Sequence, residues 1–334
     1  MSLPLFPKYG ELIPELKLEI WRQASLSPGV HYFHVKTRID NLGGHVRRIE
    51  ITPSGQVDSD PSVWRVRANI ANIDKHSSDV TKKLLEGPSA KELWRPKRGK
   101  NPSAVIDCDN DVVCIRFHGP IYNPLIGRFV DFDKLSGIKR VAVEYKKNWT
   151  HDVPSYRTLI DPMFHCLCVN LVHKVTCPKT VADFIQYFPD IEVFYFMVKL
   201  TSPNIKPPPP APRGKKRNRQ GVVKKEGDQQ PEPAPAESRT RTKAAQVISE
   251  TFTKLRDIAE RNKLETFEDK VNTYCEAREA DTTCLTMHDE IWEVFGELKD
   301  LWRLIKLIKT KVPSPYQLRE PELKVLVYTE LHKR

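Results

Sequence analysis

The residues best suited to chemistry are thiols and imidazoles close together in the chain. His165-Cys166-Leu167-Cys168, with His173 and Cys177 shortly after, is the one such cluster. Thiolate and imidazole nitrogen are zinc ligands. This spacing fits no closed tetrahedral site, however, and cysteine commonly serves as a small buried hydrophobe. No metal is therefore expected. A second group, Asp107, Asp109 and Asp111, alternates along the chain, which in an extended segment puts all three carboxylates on one face. Such oxygens suit a hard cation, but a calcium loop also needs a glycine turn and a distal glutamate, and both are missing here. Asn110-Asp111 is better read as turn chemistry before a strand. The chain has no glycine-rich phosphate loop, no Gly-x-Ser-x-Gly elbow and no His-Glu-x-x-His helix, and only 14 glycines. Only groups distant in sequence are left as a source of catalysis. The reading is a non-enzymatic protein with no catalytic residues and no cofactor.

Charge is concentrated in one place. The chain of 334 residues carries a formal net charge of +11. Between Thr201 and Ala245 there are eleven Lys and Arg against four Asp and Glu, so this segment alone accounts for +7. It also holds nine of the 27 prolines, including Pro207 to Pro210, and almost no large apolar residue. Such a composition cannot bury enough surface to offset chain entropy and predicts a disordered linker. Lys215, Lys216, Arg217 and Arg219, followed by Lys224 and Lys225, match a nuclear-import signal. A nonspecific nucleic-acid contact and a plain solvated linker are the alternatives. The proline run presents a polyproline helix or acts as a spacer. Seven scattered cysteines, no secretion signal and no long apolar run point to a reducing compartment, nucleus or cytoplasm, and to no membrane span.

The elements that must position these residues can be read from periodicity. Val30 to Lys36 has strand composition, and Arg47 to Thr52 can pair with it across the turn residues Asn41 to Gly44, which predicts an antiparallel hairpin. Ser62 to Ile73 has helical spacing at Val63, Val66, Ile70 and Ile73, and Asp79 to Leu85 extends it or adds a second helix. Trp94 to Pro102 reads as a loop. Val112 to Phe117, Ile138 to Tyr145 and Ile191 to Val198 read as buried strands. The last two each follow a short amphipathic lead-in, which predicts parallel neighbours in a sheet of about five strands. Past Ala244 helical spacing returns at Val247, Ile248, Phe252, Leu255, Ile258 and Ala259. Thr266 to Asp269 and Thr286 to Asp289 both read as capping-box helix starts, the second opening a helix that runs through Ile308. Leu323 to Leu331 fits a strand or a helix.

The front of the chain carries a helix entered through Pro14, with Glu15 in its first turn and Ile13, Leu16, Ile20 and Ala24 on one stripe, widened by Leu18 and Trp21. Lys17, Glu19 and Arg22 are left for the opposite side. A helix this short is unstable alone, so it must pack on a core or on another protein. Phe6, Tyr9, Leu12, Pro14-Glu15-Leu16-Lys17 and Ile20-Trp21 together resemble the opening of fungal proteins with the two-ExR-motif domain, a family of unknown function. Three departures are visible. Ile13 separates Leu12 from Pro14, Lys17 stands where the family has the arginine of its first ExR, and Ser27-Pro28-Gly29-Val30 replaces a Pro-Arg-Val. Glu237-Ser238-Arg239 and Glu276-Ala277-Arg278 fit the ExR letters, but in other regions. The same helix is also similar, more weakly, to the start of an F-box, where a Leu-Pro-x-Glu-Leu helix docks on a ubiquitin-ligase adaptor. That similarity makes Leu12, Leu16, Ile20 and Trp21 a candidate docking helix.

The expected molecule is α+β, or irregular α/β. Residues 1–200 form a two-ExR-like mixed domain, 201–245 a disordered basic linker and 246–334 a helical region. It would work as an intracellular protein–protein interaction module with a protein partner. An F-box-like substrate receptor, or a protein binding nucleic acid through its basic linker, are the alternatives.

Overall fold

The strand at Val193–Lys199 is apolar or aromatic on both faces, Val-Phe-Tyr-Phe-Met-Val before its final lysine, so it requires cover on both sides. In the computed structural model it lies near the middle of a sheet that curls back on itself. The structure describes residues 11–26, 28–40, 46–54, 60–96, 102–117, 128–129, 135–145, 178–185, 187–207, 236–309 and 320–330. Its helices are α1 (Pro14–Leu26), α2 (Val63–Ile70), α3 (Lys75–Leu85), α4 (Pro178–Ile185), α5 (Ala236–Arg261) and α6 (His288–Lys309). Its strands are β1 (Val30–Asp40), β2 (Val46–Pro53), β3 (Ala90–Trp94), β4 (Ala104–Asp107), β5 (Val112–Phe117), β6 (Arg128–Phe129), β7 (Arg140–Glu144), β8 (Val193–Lys199), β9 (Thr266–Glu268), β10 (Thr273–Ala277) and β11 (Glu322–Tyr328).

Nine of these strands form one mixed sheet in the order β6-β2-β1-β5-β7-β8-β11-β10-β9, while β3 and β4 pair separately. The run β1-β5-β7-β8-β11 is parallel throughout. Antiparallel pairs sit towards the margins, β1 with β2 and β11 with β10 and then β9. The last strand returns to the first: Glu268 of β9 bridges Gly29 at the start of β1. Side chains on the inner face confirm the curl, because Tyr32 of β1 shares a short hydroxyl contact with Tyr274 of β10, four strands removed from its hydrogen-bonded neighbour β5.

Alternation along each strand therefore sorts two cores. Phe33, Val113, Val141, Phe194, Phe196, Val325 and their neighbours point outward and pack under α2, α4, α5 and α6 in one large cluster. Phe196 stacks on Phe295 of α6 with 5.1 Å between ring centroids. Tyr32, Cys114, Tyr195, Met197, Phe267, Tyr274 and Leu326 point inward and form the second, smaller cluster.

The α+β reading holds, with the expected hairpin and parallel neighbours in place, and of the strand or helix that Leu323 to Leu331 fitted, a strand forms at Glu322–Tyr328. Several finer expectations need correction. Among the described residues the sheet has nine strands rather than about five. The region after residue 246 is not helical throughout. Thr266 to Asp269 is an edge strand with its turn, because Phe267 fills the inner core instead of opening a helix. Three strands of this region complete the same sheet as the first 200 residues. Both ends of the expected linker are ordered into elements, a 3₁₀ turn at Ser202–Asn204 and α5 from Ala236 onward; residues 208–235 lie outside the described residues. The loop expected from Trp94 begins one residue late, since Trp94 ends β3 and packs on Trp64.

Closure of the curl depends on Gly29. Its N–H donates to Asp111 Oδ1 at 2.9 Å, and a Cβ at this position would lie 2.6 Å from both Cβ and Cγ2 of Val63. Gly29→Ala forces α2 away from β1, and overpacking of this kind costs about 1–3 kcal/mol. The expected result is a lower urea midpoint, with Val63→Ala in the same chain restoring part of the loss.

Candidate functional site

Three arrangements of polar or exposed groups stand out, and only the third has groups left over for a ligand. The first is buried. Asp111 closes the turn between β4 and β5 with its side chain fully buried. Arg67 of α2 grips it with both terminal nitrogens, Nη1 to Oδ2 at 2.5 Å and Nη2 to Oδ1 at 2.9 Å. The backbone N–H groups of Gly29 and Asp107 donate to the same carboxylate. His31 Nε2 lies 2.8 Å from Oδ2, at ion-pair distance but off the line of an aligned hydrogen bond. Its Nδ1 accepts the Trp64 N–H at 3.2 Å, which leaves Nε2 to carry the ring proton towards Asp111. Burial alone would raise the Asp111 carboxyl, but His31 and Arg67 hold it far below the ordinary carboxylate range. Every lone pair is engaged, so this is a structural clamp.

The second is a cleft of about 520 Å³ at the starts of the parallel strands, lined by Ser89, Lys91, Cys108, Asp109, Lys139, Asp190 and Glu192 among others. In open parallel sheets ligands collect at the opposite, carboxyl ends. The polar groups here are already committed. Lys139 Nζ lies 2.8 Å from Asp109 and 3.3 Å from Glu192, Lys91 donates to the carbonyl and hydroxyl of Ser136, and Asp190 accepts the Gly137 N–H. Burial pushes the Cys108 thiol up to about 11, so it stays protonated and weakly nucleophilic at neutral pH.

The inner core shows the same pattern. Glu265 accepts from the Tyr195 hydroxyl at 2.6 Å, from Lys324 at 3.0 Å and from Arg140 at 3.3 Å. Burial, and then the carboxylate of Glu265, drive the Tyr195 hydroxyl above its ordinary value. Tyr32 and Tyr274 are likewise raised by burial and by Asp269, on which both hydroxyls converge. Arg116 lies 4.1 Å above the Tyr32 ring and is held by Glu144 and Ser54. Burial raises the thiols of Cys114, Cys275 and Cys284 as well, Cys275 to about 12. Among the described residues no thiol or phenol is tuned towards reaction.

The third arrangement is α1. Its main neighbour is α3, with a smaller contact to α2, and none of its described side chains is fully buried or joins either core cluster. The expected solvent and core sides are partly exchanged. Ile13, Leu16 and Leu18 are 57%, 50% and 38% exposed, and Ala24 is exposed too, whereas Lys17 is half-buried. Leu12, Ile20 and Trp21 are half-buried. Its principal neighbours are α3 and α2, and they leave Leu16 and Leu18 exposed.

Asp107, Asp109 and Asp111 do not converge on a cation. Asp107 caps the turn through the Asp109 N–H and the Asn110 amide, Asp109 is exposed, and Asp111 faces inward, as turn chemistry before β5 requires. Among the described residues no group of three or more His, Cys, Asp or Glu is placed to hold a metal ion. The His165, Cys166, Cys168, His173 and Cys177 cluster, and the basic residues Lys215, Lys216, Arg217, Arg219, Lys224 and Lys225, lie outside the described residues. The contributions of Arg67 and His31 were invisible in the sequence, since they stand 44 and 80 residues or so from their partner with no motif between them. Among the described residues no helix is long and apolar enough to cross a membrane. Comparison with known proteins found no matching family model, no matching curated protein and no matching solved structure.

Asp111→Asn tests the clamp. It leaves the Arg67 charge buried and uncompensated, a loss of about 3–5 kcal/mol. Because the folded carboxyl is depressed, its contribution is present at neutral pH and disappears as pH falls below about 4 towards the folded value. Urea unfolding between pH 7 and pH 3 should show the parent losing stability on acidification and the variant, weaker at neutral pH, losing less.

Proposed function

We propose that this chain is a non-enzymatic protein–protein interaction module acting inside the cell, in nucleus or cytoplasm, and that α1 is its docking element. The observation that carries this reading is the exposure of Leu16 and Leu18 on α1, and of Ile13 just before it, on a helix whose principal neighbours are α3 and α2. Exposed large apolar side chains are the kind of surface that partners cover. The resemblance of residues 6–30 to the two-ExR-motif opening falls on this same helix. Four free thiols among the described residues, three of them buried, are in keeping with a reducing compartment. The raised thiols and phenols give no support to catalysis.

A second reading, an F-box-like receptor docking on a ubiquitin-ligase adaptor, is favoured by one specific observation. It requires α1 to expose Leu16, Ile20 and Trp21 instead of burying them in the sheet; none of the three joins a core cluster, Leu16 is half exposed, and Ile20 and Trp21 are half-buried.

Leu16→Asp separates docking from folding. At a half-exposed site the change costs about 0.5–1 kcal/mol, so its thermal melt should stay close to the parent's. In matched captures from extract, the variant should lose a defined subset of the parent's partners. An unchanged partner set overturns the docking role of α1. Direct binding of a purified adaptor, abolished by the same substitution, decides for the F-box-like reading; a full partner loss without adaptor binding decides against it.

A further inference from the structure

We infer that the far halves of β1 and β2 form a ribbon that binds double-stranded DNA in its major groove, an inference independent of α1. Among the described residues β5 accompanies β1 only as far as the pair Val35 and Phe117. Beyond that point β1 continues from Lys36 to Asp40, paired with Val46 to Glu50 of β2. β6 adds two residues at the far end, Arg128 opposite Val46 and Phe129 opposite Arg47. Five residues at about 3.4 Å each make a two-stranded arm of roughly 17 Å beyond the last pairing with β5.

The arm is basic, and its register concentrates the charge. Its twelve residues hold Lys36, Arg38, Arg47, Arg48 and Arg128 against Asp40 and Glu50, an excess of three positive charges. Arg38 is the direct cross-strand partner of Arg48, and alternation puts Lys36 and Arg128 at positions on the same face of the ribbon. Like charges directly opposite weaken a strand pair. A polyanion laid on this face relieves that repulsion.

The shape of the arm selects among polyanions. The major groove of B-DNA is about 12 Å wide and about 8.5 Å deep and admits a two-stranded ribbon, so an arm of this length reaches its floor. The corresponding groove of double-stranded RNA is too narrow. Four of the five cations are arginine, whose forked donors match phosphate oxygens along the groove walls.

The test uses the full chain and a mixed-sequence DNA duplex of about 24 base pairs, titrated over a series of salt concentrations. The parent should bind, with affinity falling as salt rises. Arg38→Ser/Arg48→Ser should weaken binding about tenfold and make the logarithmic salt slope shallower by about 1.8. Its melt should match or exceed the parent's, because the opposed charges are gone. Arg38→Lys/Arg48→Lys should keep the parent's slope. Lys215→Ser/Lys216→Ser, which removes the same charge from the basic segment, should change the slope less. Guanine N7 lies in the major groove, so the bound parent should protect it from dimethyl sulfate, whether or not the serine variant folds. An RNA duplex of the same sequence should bind more weakly. A parent that does not bind DNA, or a serine variant with an unchanged slope, overturns the inference and leaves the cations as guards of a free strand edge. A loss that falls on the Lys215 and Lys216 variant instead, an unprotected N7, or equal binding of the RNA duplex overturns it too.

Discussion

The buried carboxylate of Asp111 holds together elements that otherwise have little reason to meet. The start of β1, the helix α2 and the β4–β5 turn each contribute a donor to it, through Gly29, Arg67 and Asp107. Taking an ion pair out of water is costly, and the attraction between the ions repays that cost only when the geometry is good and the remaining lone pairs are satisfied. Here the guanidinium meets the carboxylate with both terminal nitrogens and two backbone amides complete the shell. The clamp fixes where β1 begins, and hence its register with β5 and the point at which β9 returns to it. Both cores follow from that register, since a shift of one residue would exchange the outward Phe33 with the inward Tyr32.

Ionisable groups elsewhere obey the same rule of mutual satisfaction. Glu265, with three donors around it, and Lys139, between two carboxylates, are examples at the strand starts. Polar atoms spent on one another hold loops and strands in place and leave little for a substrate. The contrast is α1, whose Leu16 and Leu18 stay exposed although the helix packs on α3 and α2.

Local pattern carried much of the fold. The β1–β2 hairpin, β5, β7 and β8 were legible because aromatic and β-branched runs are unambiguous when bounded by turn residues, and α6 because its apolar spacing continues for six turns. The short strands were not. Thr266 to Asp269 has the letters of a capping box, and only the need of the inner core for Phe267 makes it a strand. Strand order was equally hidden, because β8 pairs with β11 across more than a hundred residues that include two helices. At α1 the spacing of the apolar residues was visible, but the face turned to α3 was not: Lys17 can lay its aliphatic stem against a neighbouring helix, so a polar letter did not mark the solvent side.

The return of β9 to Gly29 has a consequence for how the chain reaches this structure. Tyr32 and Asp269, joined through the tyrosine hydroxyl, are 237 residues apart, and β11, which lies between β8 and β10, spans residues 322 to 328. Contacts this distant make folding slow, because loop entropy is lost before the contacts can form. During synthesis β8 emerges well before β11, and its free edge and its inward tyrosine and methionine side chains wait uncovered. Such an edge is a template for pairing with other chains. The first two hundred residues, which look self-sufficient in sequence, are therefore the form of this protein most exposed to aggregation and most dependent on a chaperone until the last strand arrives.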